Sequence, residues 1–304
     1  MLAVLTDAPF DDPAWIFETK WDGFRMVTCI KGGKVELFSR NGKIISDSYR
    51  AVAGALEAIT HDAVLDGELV ALDPNGRARF QLLQNALRSQ ASLRYYLFDL
   101  MFLDGADLRG LPLLERKERL GRLLPNHPLL AVSEHRAEHG RRLFGQAQKQ
   151  GLEGIMAKRA ASPYLSGQRS GDWLKIKTAQ RQEVVIAGFT APRRSRPYFG
   201  ALVLAVREDK GWRYIGHVGT GFTQATLRDL YDRLLPLRTE RSPFKERVRA
   251  EAATTWVKPQ LVAEVKFAEW TGAGELRHPA FIGLRQDKAA KEVLREKASP
   301  RKRR

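Results

Sequence analysis

A chain of 304 residues with a hydrophobic fraction of 43% can bury a sizeable core and is expected to divide into two domains. Its lone cysteine, Cys29, excludes an internal disulfide and any zinc site built from four cysteines or from two cysteines and two histidines. The net charge of +16 points to a polyanionic partner, because lysines and arginines that neutralise phosphates release condensed counterions.

The N-terminal MLAVLTDAPFDDP has no basic region and meets acid too early for a signal peptide. No apolar run approaches the roughly 18 to 20 residues that span a bilayer. A soluble cytoplasmic protein with no membrane partner is expected. FETKWDGFR then surrounds Lys20 with Glu18, Trp21, Asp22 and Arg25. A lysine is a nucleophile only when deprotonated, and its ordinary pKa of ~10.4 falls with desolvation or neighbouring positive charge. Trp21 and Phe24 read equally well as core aromatics.

KVELFSR alternates Val35, Leu37 and Ser39 against Glu36, Phe38 and Arg40, and predicts a strand. Ser48–Ile59 predicts a short helix. AVLDGELVAL predicts a strand with Asp66 and Glu68 on one face, opposite Leu65 and Leu69. Gln81–Arg88 reads as a second short helix and RYYLFDLMFLDG as another strand. Leucines at helical spacing make 113–124 an amphipathic helix. His135 and His139 are four apart, a spacing that would share one helix face, but no further metal ligands accompany them and a solvated segment is expected. A further helix should end near Gln150, with Gly151 as its stop.

LEGIMAKR puts Glu153 at a strand start, before Ile155. In WLKIK, strand periodicity places Trp173, Lys175 and Lys177 on one face and Leu174 and Ile176 on the other. Two lysines on one face suit a triphosphate, although a solvated edge strand has the same pattern. Separated carboxylates such as Glu68 and Glu153 suit Mg²⁺, which takes only one or two protein carboxylates beside substrate phosphate.

After Lys177 the texture becomes several short strands with one helix near Thr226–Leu235, which fits a small β-barrel such as an OB-fold. VGTGF reads as a hairpin turn rather than a phosphate loop. The charge is +5 through Gln182 and +11 from Glu183 onward, so a boundary is expected near residue 180. The tail EKASPRKRR is charged, lacks a core face and is expected to be disordered.

KWDGFR, SRNG, DGE, FDL, EGIMAK and WLKIK occur in this succession. In that order they resemble the ATP-dependent DNA ligases of the covalent nucleotidyltransferase superfamily, most closely the ligase domain of the bacterial ligase D type. The likeness continues through FGALVLAV, HVGTGF, LVAEVKFAEWT and LRHPAFIGLRQDK. It implies an α+β fold: a nucleotidyltransferase (adenylation) domain with antiparallel sheets and flanking helices over 1–180, an OB-fold β-barrel over 181–295 and a basic tail over 296–304.

The resemblance implies that Lys20 attacks the ATP α-phosphate and carries AMP as a phosphoramidate. Glu18 would read the adenine amino group, Phe98 would stack on the base, and Arg25 and Arg40 would contact ribose and phosphate. Glu68 would bind ribose or metal, and Glu153 would be the main carboxylate for Mg²⁺ or Mn²⁺. Lys175 and Lys177 would hold the α-phosphate and help depress the Lys20 pKa, with Arg169 a further nucleotide-binding arginine. Arg285, Asp287 and Lys288 would orient the pyrophosphate. The implied substrate is nicked or broken double-stranded DNA, in repair that includes non-homologous end joining. A Ku-type end-binding partner, a monomeric state and a bacterial, nucleoid-associated location go with it. The sequence begins 19 residues before Lys20, and the N-terminal DNA-binding domain of larger ligases and the polymerase and phosphoesterase domains of many ligase D proteins are expected to be missing. An RNA ligase, a GTP-dependent capping-type nucleotidyltransferase and a non-catalytic DNA-binding relic share parts of this pattern.

Overall fold

The computed structural model describes residues 1–85, 92–192, 196–209, 211–246, 248 and 253–296. The end of the helix expected over Gln81–Arg88 and the tail after Glu296 lie outside the described residues. The chain forms two compact units, Met1–Thr178 and Ala179–Glu296.

The first unit opens with β1 (Leu2–Leu5), β2 (Asp12–Thr19), β3 (Phe24–Lys31) and β4 (Lys34–Ser39), then α1 (Arg50–Leu56). β5 (Ala63–Leu72), α2 (Phe80–Asn85), β6 (Ser92–Leu103), β7 (Ala106–Asp107) and α3 (Leu113–Leu123) follow. β8 (Leu130–Val132), β9 (His135–Glu138), α4 (Gly140–Gln150), β10 (Gly154–Arg159) and β11 (Arg169–Lys177) complete it. Two sheets result. One runs β1-β11-β10-β2-β9, the other β4-β3-β5-β6-β7 with β8 added parallel to β6.

Strand periodicity gives each sheet a core face and a polar face. In the first sheet Trp15 and Phe17 of β2 share a face with Ile155 and Ala157 of β10 and Leu174 and Ile176 of β11. They pack with Phe10 and with Ala147 of α4 into one apolar cluster. In the second sheet Met26, Leu65, Leu69, Tyr95 and Leu97 turn to a larger core shared with α1 and α3. A third cluster, with Ile16, Phe98, Leu113, Tyr164 and Trp173, draws on the opposite faces. α4 stops at Gly151, whose left-handed φ of 65° lets its N–H reach Ala147 and Gln148 carbonyls.

The second unit contains β12 (Arg181–Thr190), β13 (Leu202–Glu208), β14 (Gly211–Val218), α5 (Gln224–Leu234), β15 (Arg238–Thr239), β16 (Thr254–Val257), β17 (Val262–Lys266) and β18 (Ala280–Leu284). β12 pairs with β17 along its first half and with β16 along its second, while β13 takes its other edge. The sheet curls until Phe281 donates to the Thr220 carbonyl and Leu276 to that of Ile215. α5 buries Leu227, Leu230 and Leu234 and starts at a Thr223–Thr226 capping box.

His135 and His139 lie in the solvated segment expected for them: His135 begins the exposed strand β9, which hydrogen-bonds along the edge of β2. One local expectation is corrected. The VGTGF segment is not a hairpin turn: it leads from β14 into α5. Gly221 there lies so close to the Phe281 backbone that a Cβ would stand 2.3 Å from its carbonyl oxygen.

Candidate active site

The polar face of the first sheet follows from its register. Glu18 lies opposite Met156, which lies opposite Lys175, while Ile16, Lys158 and Trp173 form the next rung. Lys177 pairs with Gly154, and the Gly154 carbonyl accepts the Lys20 N–H at 3.0 Å. Alternation that puts Phe17, Ile155 and Ile176 in the core therefore sends Glu18, Lys158, Lys175 and Lys177 the other way. In the second sheet Arg25 pairs with Glu68 and Val27 with Asp66, on the face opposite Leu65 and Leu69. Glu18, Lys20, Trp21, Arg25, Glu68 and Phe98 together line one cleft, along with Met156, Lys158 and Trp173.

Lys20 Nζ stands 2.6 Å from Glu153 Oε1. Burial alone would lower the Lys20 pKa, but the Glu153 carboxylate, helped by Glu68 and Asp22, holds it above the usual lysine range. The expected depression of the Lys20 pKa by Lys175 and Lys177 is therefore reversed in the free protein. The reason is proximity: the Glu153 carboxylate is in direct hydrogen-bond contact with the ammonium.

Arg25 makes a two-pronged contact with Asp66, Nε to Oδ1 at 3.0 Å and Nη2 to Oδ2 at 2.6 Å, and donates from Nη1 to the Met1 carbonyl. Tyr164 donates its hydroxyl to the same Asp66 at 2.7 Å. Burial would raise the Asp66 pKa, yet Arg25 and Tyr164 keep it below the ordinary carboxylate range. Trp21 is not a core aromatic. Its indole stacks on Tyr96 with centroids 3.6 Å apart and donates to Ser133 Oγ. Phe24 does pack in the core, edge-on to Phe80.

Glu18 is held from both sides. Lys117 Nζ of α3 donates to Oε1 at 2.8 Å and Lys158 Nζ to Oε2 at 2.9 Å. The ammonium of Lys158 also sits 4.3 Å from the ring centroids of both Phe98 and Trp173. Lys117 and Lys158 have no counterpart among the residues expected from sequence. Lys117 lies on the inner stripe of α3, where Leu113, Arg116, Lys117 and Leu120 are all buried on one helix face. Arg116 there pairs with Asp99 at 2.7 and 2.9 Å.

Other expected residues lie apart from the cleft lining. Arg40 is exposed and borders a neighbouring groove with Phe38, Gly42 and the shared Arg25. Arg169 is exposed at the start of β11 and donates to the Ala3 carbonyl. Lys175 and Lys177 share the sheet face without lining the cleft itself. Arg285, Asp287 and Lys288 belong to the second unit. There Arg285 grips Asp287 at 2.8 and 2.9 Å, and Lys288 reaches Glu183 at 2.9 Å. Among the described residues no three or more His, Cys, Asp or Glu side chains cluster in a way that could hold a metal. A cation at Glu153 and Glu68 would need phosphate oxygens to complete its shell.

The model of the ATP dependent DNA ligase domain matches residues 1–177, and that of the ATP dependent DNA ligase C terminal region matches residues 195–288. The chain belongs to the ATP-dependent DNA ligase family. Its fold is accordingly a nucleotidyltransferase domain followed by an OB-fold barrel. This ligase-family chain is 42% identical to the multifunctional non-homologous end joining protein LigD of Pseudomonas aeruginosa, over 93% of its own length and 35% of the relative's. It is 39% identical to the LigD repair protein of Mycobacterium tuberculosis over 93% and 37% of the two chains. It thus spans about a third of the length of the curated relatives it matches. A solved mycobacterial DNA ligase D complexed with ATP and MES superposes with a TM-score of 0.68 at 36% identity, over 97% of this chain and 98% of that one. The ligase domain of M. tuberculosis LigD matches with a TM-score of 0.51 at 37% identity, over the same shares of the two chains.

Proposed function

We propose that this chain is an ATP-dependent DNA ligase that seals 5′-phosphate/3′-hydroxyl breaks through a covalent lysine–AMP intermediate. The observation that carries the reading is the Lys20–Glu153 pair, 2.6 Å apart, whose lysine lines a cleft that also gathers Glu18, Arg25, Glu68 and Phe98. Residues 1–180 are the adenylation domain and 181–295 the OB-fold domain in this reading.

In the first step Lys20 Nζ attacks the α-phosphorus. A P–N bond forms, the bond to the bridging oxygen breaks and pyrophosphate leaves. Glu153 keeps Lys20 protonated in the free enzyme, so Lys20 must release that proton to solvent before it attacks, a loss that positive charge drawn to Glu153 would favour. Glu153 and Glu68 are the carboxylates that would hold Mg²⁺ or Mn²⁺, which supplies charge neutralisation at the phosphates. Glu18 accepts from the adenine amino group, Phe98 packs on the base, and Arg25, Arg40 and Arg169 contact the nucleotide's ribose and phosphates. Lys175 and Lys177 take the α-phosphate, and Arg285, Asp287 and Lys288 orient the pyrophosphate. AMP then passes to the 5′-phosphate of nicked or broken DNA, and the 3′-hydroxyl displaces it. The second domain swings about residue 180 between these steps. The protein acts as a monomer in the bacterial cytoplasm at the nucleoid, in repair that includes non-homologous end joining with a Ku-type end-binding protein.

Mixing the protein with ATP labelled on its α-phosphate, Mg²⁺ and, in parallel, labelled GTP tests the reading. Label on the wild type from ATP, absent from Lys20→Ala and discharged by nicked DNA, is the expected result. Label from GTP would favour a capping-type enzyme, discharge by nicked RNA alone an RNA ligase, and no label a non-catalytic relic.

A further inference from the structure

We infer that Lys117 and Lys158 are positioning residues that set base specificity: they fix Glu18 as an acceptor and so select a purine with an exocyclic amino group over one with a carbonyl at that position. The inference rests on the reading of the cleft as a nucleotide site.

The geometry has three parts. Glu18, Lys117 and Lys158 are all nearly sealed from solvent, with side-chain exposures of 2%, 3% and 2%. Each carboxylate oxygen of Glu18 is tied to a different lysine, so the group is held from both sides, and these two bonds use only about half of its roughly four acceptor positions on a residue that lines the cleft. Each lysine is itself fixed, Lys117 by the Ser133 carbonyl at 2.8 Å and Lys158 between the Phe98 and Trp173 rings.

Charge balance alone asks for one lysine. A second buried cation costs desolvation, and Asp99, the other carboxylate given near Lys158, is already paired with Arg116. The cost appears in Lys158, whose pKa is pushed down by burial and by Lys117 against the pull of Glu18. What the pair secures is the state of Glu18. Burial would raise that carboxyl, but the two lysines hold it below the ordinary range and therefore ionised. An ionised carboxylate accepts only, so an amino group satisfies it and a carbonyl oxygen is repelled. A protonated carboxyl could donate to the carbonyl and would lose the distinction. The other groups facing Glu18 are His135, its partner on β9, and Lys20 beyond the end of its own strand. Although β9 is exposed to solvent, partial desolvation of the ring and then Lys117 hold His135 below its usual value, which leaves it neutral at and above neutrality.

The test compares single-turnover self-adenylation by ATP and by inosine triphosphate, which replaces the amino group with a carbonyl, in the full chain from about pH 7 to 9. Wild type should prefer ATP by on the order of 100-fold or more, unchanged with pH. Lys117→Met and Lys158→Met should each shrink that preference by about tenfold or more at neutral pH, chiefly in KM, with the preference growing again as pH rises. Equal losses with both nucleotides and an unchanged ratio would overturn the inference. Should one variant fail to fold, the other decides. A wild-type preference that falls on approaching neutrality overturns it without any variant. No label from ATP in the wild type would remove the ligase reading itself, whereas normal ATP labelling with an unmoved ratio removes only this inference.

Discussion

Lys20 and Glu153 form a pair whose protonation is tied to pH in both activity and stability. Glu153 raises the Lys20 pKa, so the free amine of Lys20 is scarce at neutrality. For self-adenylation, kcat/KM reports the free enzyme and should climb steadily with pH through the alkaline range. Glu153→Gln should move that climb to lower pH while cutting the plateau, which a single-turnover pH series would read. The stability from the pair has the matching sign: fully present below the ordinary lysine pKa of ~10.4 and lost as pH rises through the raised value. Glu18 runs the opposite way. Its lowered pKa contributes stability that is present above the ordinary glutamate value and lost as pH falls through the folded one. Replacing it with Gln strands two buried lysines and should cost about 3–5 kcal/mol in a denaturant titration.

The pairing of β10 with β11 is so close at Gly154 that a Cβ there would stand 2.1 Å from the Ile176 carbonyl oxygen. Gly154→Ala should therefore cost about 1–3 kcal/mol in thermal unfolding. It should also slow adenylation, because the Gly154 carbonyl anchors the Lys20 backbone and Glu153 is its neighbour. The elements that sequence alone made legible are β4, β5 and β11 by the faces their alternation gives, β10 as a short strand after Glu153, α3 by its leucine stripe and α4 by its glycine stop. β2 was not legible, since Trp15, Ile16, Phe17 and Glu18 are all buried and the run has no alternation to read. Nor was β9, whose exposed residues are fixed only by pairing with β2. The cleft was legible through carboxylates and lysines beside turns, in the order of a known family. Lys117 was not, because a cation within a leucine stripe reads as the solvated edge of an amphipathic helix until an anion is found beneath it.

Charge acts on the molecule as a whole. The sequence from Glu183 onward carries +11 of the +16, so DNA affinity should fall steeply with salt, a straight line in log Kd against log salt by fluorescence anisotropy. Within the second unit Arg285 and Lys288 already hold Asp287 and Glu183, partners they must share with any phosphate. Arg285→Ala should reduce labelling by ATP on the order of 100-fold and leave sealing of a pre-adenylated nick within about threefold. The two-faced strands of the first unit carry a different consequence, one of spacing. Deleting a single residue from β10 would rotate Ile155 and Ala157 into the cleft and Met156 and Lys158 into the core. Packing and chemistry would then fail in the same stroke. An insertion at the exposed Gly32–Gly33 hairpin tip leaves every strand in phase. A scaffold of this kind can drift widely in the identity of its residues while its strand lengths stay frozen, so a deletion scan across it would read as a map of the cleft-lining sheet.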